Sequence, residues 1–402
     1  MRLLDKFELH QTIIDCVANY GFNPIGAEVE VSHSPTEGTV AGRPVVLAGT
    51  NNYLGLTFDP ACIAAAVDAV EREGTGTTGS RMANGTYEGH KKLEVELAEF
   101  YGLGHAIVFT TGYQANLGMI STLAGPSEFI ILDADSHASI YDGARLSGAQ
   151  MFRFRHNDVA DLDKRLTRLG ERATETLVVV EGLYSMLGDL APLREICDVT
   201  KRHGTCLMVD EAHSMGLVGE KGRGQVEAQG VLDEVDFIVG TFSKSLGCVG
   251  GYCVSRHEML DILRNSIRAY VFTASATPSV IASARMALDI VRHRGPELRD
   301  RLWSNARRVY DAVKSLGFDV GPEPSPVVAV IMDDVDSTVA AWNALLEAGV
   351  YVNLVLPPAA PGRFGLLRCS LSAAHTDEQV DRIIEGYALV HNIVGPARRV
   401  RA

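Results

Sequence analysis

The chain has 402 residues, 46% of them hydrophobic and 22% charged, and a formal net charge of −13. That length allows roughly two or three packed units with a sizeable core. The acidic balance argues against nonspecific nucleic-acid binding and against a polybasic membrane anchor.

The seven cysteines are scattered and form no CxxC pair. Neither a metal site nor a disulfide framework is expected, and reduced thiols point to the cytoplasm. The first residues, MRLLDKFELHQTIIDC, lack a signal-peptide pattern. No apolar run is long enough to span a bilayer, so membrane contact is expected to be peripheral at most.

In chain order, residues 3–20 place Leu4, Phe7, Ile13, Ile14 and Val17 at helical spacing. This predicts an amphipathic helix, ended by Gly21 and Pro24. Residues 28–48 read as short strands of a small sheet. A helix is expected over 61–73. The Gly/Thr-rich stretch 74–90, with Arg81 inside it, reads as an ordered loop. A second helix follows over 90–101.

Strands and helices then alternate. Strand-like runs fall at 106–109, 129–132, 151–154, 177–182, 206–210, 237–240 and 251–255. This pattern predicts an α/β fold with a mainly parallel seven-stranded sheet flanked by helices. The last run follows its predecessor too closely for a crossover and is expected to be antiparallel. A helical region covers 279–315, with breaks near Gly295. Strands at 327–332, 351–356 and 364–371, with helices at 337–348 and 376–393, predict a smaller α+β C-terminal domain. The expected division is 1–58, 59–290 and 291–402.

In such sheets ligands bind beyond the carboxyl ends of the strands. The first run ends in TTGYQAN, a turn into a helix N-terminus where backbone N–H groups favour a phosphate. The second delivers Asp133, Asp135 and His137, whose ring could stack on a flat cofactor. The fifth delivers Asp210, with His213 three residues on. A carboxylate there needs a positive partner, and a pyridinium nitrogen is one. The sixth leads into GTFSKSLGCVGG, where Lys244 sits among Thr241, Ser243 and several glycines. A lysine so placed suits a Schiff base with an aldehyde cofactor. The glycines suggest clearance for a ring and its phosphate. A surface lysine, a hydrogen-bonded loop histidine or a helix-capping aspartate would each give one of these signals singly. Their shared sheet edge favours a common site.

These segments resemble the α-oxoamine synthases of the pyridoxal phosphate (PLP) fold-type I superfamily. The resemblance runs from about Asn51 to the last helix. It is carried by NNYLGLTFD, GTGTTGSRMANGTYEGHKKLE, FTTGYQANLG, DSHASIYDG, FRHND, VDEAHSMG, GTFSKSLGCVGG, YVFTAS and LLRCSLSAAHT. DSHASIYDG with FRHN points to the bacterial serine palmitoyltransferase branch. The resemblance implies pyridoxal 5′-phosphate as cofactor and Lys244 as its Schiff-base residue. It implies that His137 stacks on the ring, Asp210 holds the ring nitrogen protonated and His213 bonds the phenolic oxygen. Gly112, Tyr113, Thr241 and Ser243 would cradle ring and phosphate. Thr273 would reach the phosphate of the other subunit of a homodimer whose active site lies at the interface. Asn52 and Arg368 would meet the amino-acid carboxylate.

The implied reaction condenses L-serine with a long-chain acyl thioester, such as palmitoyl-CoA or an acyl carrier protein thioester. Carbon dioxide is lost and 3-ketosphinganine is formed. Alternatives are a sister reaction on glycine or alanine, a plain aminotransferase, or a noncatalytic partner subunit. The branch pattern departs at one place. Leu356 precedes Pro357 and Pro358 where an arginine is expected, so that position supplies no second carboxylate anchor.

Overall fold

The computed structural model describes residues 26–357 and 365–394, with residues 2–5, 7, 8, 14, 17 and 22–24 ahead of them. Of the helix expected over 3–20, Arg2–Asp5 is helical. Residues 6, 9–13, 15, 16 and 18–21 lie outside the described residues, as do Pro358, Phe364 and the tail 395–402. The chain forms two compact units. One comprises Met1–Gly55, Met186–Asp189 and Asp300–Ala402; the other comprises Leu56–Ser185 and Leu190–Arg299.

The first unit opens with a meander of β1 (Val29–Ser34), β2 (Glu37–Val40) and β3 (Arg43–Leu47).

The second unit holds β4 (His105–Phe109), β5 (Phe129–Asp133), β6 (Gln150–Phe154), β7 (Thr176–Glu181), β8 (Cys206–Asp210), β9 (Phe237–Thr241) and β10 (Gly251–Ser255). They form one sheet in the order β4-β10-β9-β8-β7-β5-β6. The run from β9 through β6 pairs in parallel. β10 runs antiparallel to both β9 and β4, as its short connection requires. The central strands are apolar at successive positions because both faces are covered: every residue of β7 is buried. Ile130, Val179, Met208 and Val239 join Met119 and Ile120 of the helix Gly112–Leu123 in the core.

The Gly/Thr loop 74–90 is ordered, and Arg81 is the reason. Its Nη2 pairs with Glu94 Oε1 at 2.9 Å, and its Nη1 donates to the Val108 carbonyl at 3.2 Å. Arg264 Nη1 lies 3.2 Å from the other Glu94 oxygen. Burial opposes ionisation of Glu94, but the two guanidiniums outweigh it and hold its carboxyl below the usual range. The cluster ties the loop to β4, whose end opens the phosphate-type turn.

The expected break near Gly295 is a correction. The helix Pro278–Ser315 continues through Pro296. Ala284, Ala287, Leu288 and Val291 are buried before it, and Leu302, Ala306 and Val309 after it. Burial of that continued stripe outweighs the about 3 kcal/mol cost of an interior proline.

The rest of the first unit carries β11 (Asp319–Val320), β12 (Val327–Met332), β13 (Val350–Tyr351), β14 (Asn353–Val355) and β15 (Gly365–Ser370). The run expected as one strand over 351–356 is divided between two sheets. β13 pairs in parallel with β3, and β14 pairs antiparallel with β15. Val352 between them is fully buried, and its carbonyl accepts from Trp342 Nε1 at 2.8 Å. Among the described residues no helix is long and apolar enough to cross a membrane.

Glu94→Leu leaves the buried Arg81 guanidinium without its carboxylate, while the less buried Arg264 keeps Asp261. It should destabilise the protein by about 3–5 kcal/mol, read from urea unfolding curves. A loss below about 1 kcal/mol would remove the cluster from its role in ordering the loop.

Candidate active site

Asp210 ends β8 and is 4% exposed. A carboxylate in that position is costly unless donors meet it. Its Oδ1 accepts the Ala212 N–H at 2.9 Å, and its Oδ2 accepts from Asn116 Nδ2 at 2.6 Å. Asn116 comes from the helix that follows β4. That helix is capped by Thr111, whose side chain accepts the Gln114 N–H at 3.1 Å. The cap leaves the first backbone N–H groups of the helix facing the same space.

His137 follows β5 and caps the helix Ala138–Ser147. Its backbone N–H donates to Glu181 Oε1 at 2.5 Å. Its Nδ1 meets Ser139 Oγ at 2.7 Å and accepts the Ser139 N–H at 3.2 Å. Burial pushes the His137 pKa down, with the Lys244 charge acting the same way against the pull of Asp210. The ring is therefore neutral near pH 7. Glu181 ends β7. Burial, with Asp210 beside it, pushes its carboxyl well above the usual range.

Thr241 ends β9. Its hydroxyl donates to the Gly250 carbonyl at 2.8 Å and lies 2.9 Å from Ser243 Oγ. Lys244 follows, half-buried, and Val249 and Gly250 complete the wall. Together these residues enclose a cavity of about 250 Å³. Its lining includes Gly112, Tyr113, His137, Asp210, His213, Thr241, Ser243 and Lys244, all expected from the sequence. It also includes Asn116, Ser139 and Glu181, which were not. No local motif announces those three, because their signal is a tertiary hydrogen bond.

Other expected residues lie elsewhere. Thr273 is outside this cavity, where its hydroxyl accepts from Gln114 Nε2 at 3.3 Å. Asn52 and Arg368 belong to the first unit. There Arg368 is 5% exposed and donates to Asn51 Oδ1 at 2.9 Å, Ser370 Oγ at 2.8 Å and Tyr53 OH at 3.2 Å. Asp133 is fully buried and turned to a structural task. It accepts from His156 Nδ1 and the Asn157 and Asp135 N–H groups, each at 2.8 Å, and so locks the FRHND segment. The glycines after Lys244 also differ from expectation. A Cβ on Gly251 would meet the Gly112 nitrogen at 2.6 Å. At Gly250, with φ +155°, a Cβ would strike the Phe242 ring. Their room is taken by the protein's own chain, which lets the turn after β4 approach the lysine loop.

The cavity suits a flat ring bearing a phosphate. It offers a buried carboxylate for a cationic ring nitrogen, a neutral imidazole, an amine, and hydroxyls with helix N–H groups for an anion. Asn116 Oδ1, buried at the wall, has no hydrogen-bond partner among the described residues.

A family model described as Aminotransferase class I and II matches residues 43–386. The serine palmitoyltransferase of Caulobacter vibrioides is 56% identical over 405 residues, covering 100% of both chains. The solved structure of the Sphingomonas wittichii serine palmitoyltransferase has a TM-score of 0.95 and 52% identity, covering 98% of this chain and 99% of that one. A high-resolution structure of SPT with a PLP internal aldimine also scores 0.95, at 49% identity and the same coverages.

Glu211, next to Asp210, carries a pH dependence. It is fully buried and accepts the Ser214 hydroxyl and the N–H groups of Val226 at 2.8 Å and Gln225 at 3.0 Å. Burial pushes its carboxyl from 4.5 up to about 7, against those three donors and with Asp210 adding to the rise. A raised folded pKa means the folded state keeps the proton longer. The contribution is complete below about pH 4.5 and is lost as pH rises through 7, a change of about 3 kcal/mol. Glu211→Gln should flatten stability against pH between 5 and 8 in guanidinium unfolding. A slope equal to that of the parent would assign the proton to another group.

Proposed function

The chain belongs to the α-oxoamine synthase family of fold-type I pyridoxal phosphate enzymes, and we propose that it acts as a serine palmitoyltransferase. It condenses L-serine with a long-chain acyl-CoA thioester, releasing carbon dioxide and the thiol and giving 3-ketosphinganine. The observation that carries this reading is the single cavity shared by Lys244, Asp210, His137 and His213 in a chain 56% identical to such an enzyme.

Bound pyridoxal phosphate supplies an electron sink for negative charge at the amino acid's Cα. Lys244 holds the cofactor through its amine. Its amine, Lys244 Nζ, would serve as the general base for the serine Cα proton and as the acid that returns a proton. Asp210 keeps its negative charge against the ring nitrogen and so holds that nitrogen protonated. His213 donates to the phenolic oxygen. The Gly112 and Tyr113 end of the capped helix, with Thr241 and Ser243, takes the phosphate. The neutral His137 ring covers the cofactor's face. It would also hold the serine carboxylate, favouring loss of the Cα proton over loss of the carboxyl group.

Asn52 and Arg368 are assigned to the serine carboxylate. Arg368 suits this because its guanidinium already has neutral oxygens fixing its direction. The enzyme is read as a homodimer in which Thr273 serves the phosphate held by the other subunit. Phe272, 72% exposed beside Thr273, and Val249, 55% exposed at the cavity, support a covering partner.

Lys244→Ala should lose the visible absorbance of the lysine-bound cofactor and lower turnover by about 10²–10⁴-fold or more. Product mass spectrometry with serine, alanine and glycine, each with a ladder of acyl thioesters, reads the same reaction directly. Turnover near the parent level in the variant would end the role of Lys244. A product built only from glycine or alanine would replace serine as the substrate.

A further inference from the structure

Asn116 stands where three elements meet. It projects from the helix Gly112–Leu123, is 3% exposed, and reaches both the end of β8 and the start of the helix Ala138–Ser147. Its Nδ2 carries two hydrogens. One goes to Asp210 Oδ2 at 2.6 Å and the other to Ser139 Oγ at 3.0 Å. A carboxylate only accepts, so the amide can point only one way.

The proton order then follows along the chain of contacts. Ser139 Oγ accepts from Asn116 and keeps its own hydrogen for His137 Nδ1 at 2.7 Å. The Ser139 backbone N–H donates to the same nitrogen at 3.2 Å. With Nδ1 accepting twice, the ring proton sits on Nε2. Nothing in this order moves a proton between Asp210 and His137. It is a fixed tether.

We propose that Asn116 is a positioning residue that, through Ser139, ties the carboxylate of Asp210 to the ring of His137, fixing the carboxylate's direction and the imidazole's tautomer together. The proposal rests on reading the cavity as a pyridoxal phosphate site and deepens that reading. The groups assigned to the cofactor's nitrogen and to its face come from different strand ends, and the tether makes one preorganised unit of them. The unpartnered Asn116 Oδ1 fits this account. An amide kept only for packing could turn to satisfy its oxygen. Here two donor contacts hold it, and the oxygen is left facing the cavity wall.

The test uses apoprotein prepared from the holoenzyme and titrated with pyridoxal phosphate. Asn116→Ala should weaken cofactor binding by about 10–100-fold, the range for hydrogen bonds to a charged group. It should also shift the pH dependence of the bound cofactor's absorbance, a readout that a loss of stability alone would not move. Ser139→Ala should weaken binding by a smaller factor, and Ser139→Thr should restore it. The two losses should combine to less than their product in the double variant. Nitrogen NMR of ¹⁵N-histidine-labelled protein should show His137 as the Nε2–H form in the parent and a mixture in the double variant. Binding and absorbance within twofold of the parent in Asn116→Ala would overturn the tether. So would independent, multiplying losses. If Asn116→Ala does not fold, the Ser139→Ala and Ser139→Thr pair decides: no loss in the first, or no recovery in the second, overturns it. A parent apoprotein that takes up no pyridoxal phosphate would overturn the cofactor reading, an outcome distinct from a failed tether.

Discussion

A carboxylate at the end of a strand buried on both faces is the constraint from which the cavity follows. Asp210 is pinned there by β8, between Glu181 at the end of β7 and Val239 of β9. Left without donors it would carry the full cost of desolvation. The protein meets it with neutral donors, the Ala212 N–H and the Asn116 amide. Hydrogen bonds to a charged group contribute about 1.5–3 kcal/mol each. They stabilise the charge without neutralising it. In the proposed reading a cationic ring nitrogen is the partner that completes the site. The raised pKa values of Glu181 and Glu211 belong to the same balance. Burial raises both, and the neighbouring Asp210 adds to each rise.

Sheet order does the rest of the assembly. β5, β7, β8 and β9 end side by side, so His137, Glu181, Asp210 and Thr241 arrive together although about a hundred residues separate the first from the last. β10 reverses direction and brings Gly251 against the turn after β4. That approach sets the capped helix, with its exposed N–H groups, beside the lysine loop. The Arg81–Glu94–Arg264 cluster holds the other side of β4. A buried ion network is weak evidence for stability, but removing one charge from it is severe. Its value here lies in fixing where β4 ends.

What was legible in the sequence had a local signature. Apolar runs marked the central strands, because covering both faces removes alternation. Asp210 and Lys244 stood out because a charge directly after such a run demands an explanation. Arg81 stood out for a related reason, as a charge inside a loop of small residues. Asn116, Ser139 and Glu181 were silent: an asparagine in a helix, a serine after a cap and a glutamate at a strand end are common, and their meaning is a contact with a distant residue. The glycines after Lys244 were misread because a small residue signals close approach without saying of what. Gly295–Pro296 misled in the opposite sense, since propensity is outweighed when the apolar stripe continues. The run 351–356 kept its strand character but not its unity, and no local pattern says that Val352 parts two sheets.

The same reasoning separates the cofactor's chemistry from the choice of substrate. Every group assigned to the ring lies in the unit built on the seven-stranded sheet, where strand ends dictate position. The groups assigned to the amino-acid carboxylate, Asn52 and Arg368, lie in the other unit. There a guanidinium is held by the oxygens of Asn51, Ser370 and Tyr53. Burial pushes the Tyr53 phenol up, so it remains a neutral partner. Neutral oxygens fix the direction of a cation without cancelling its charge, as the neutral donors do for Asp210. Leu356 adds no second cation where the branch pattern has one. In the proposed reading Arg368, with Asn52 and His137, orients the serine carboxylate through the direction of its donors rather than through total charge.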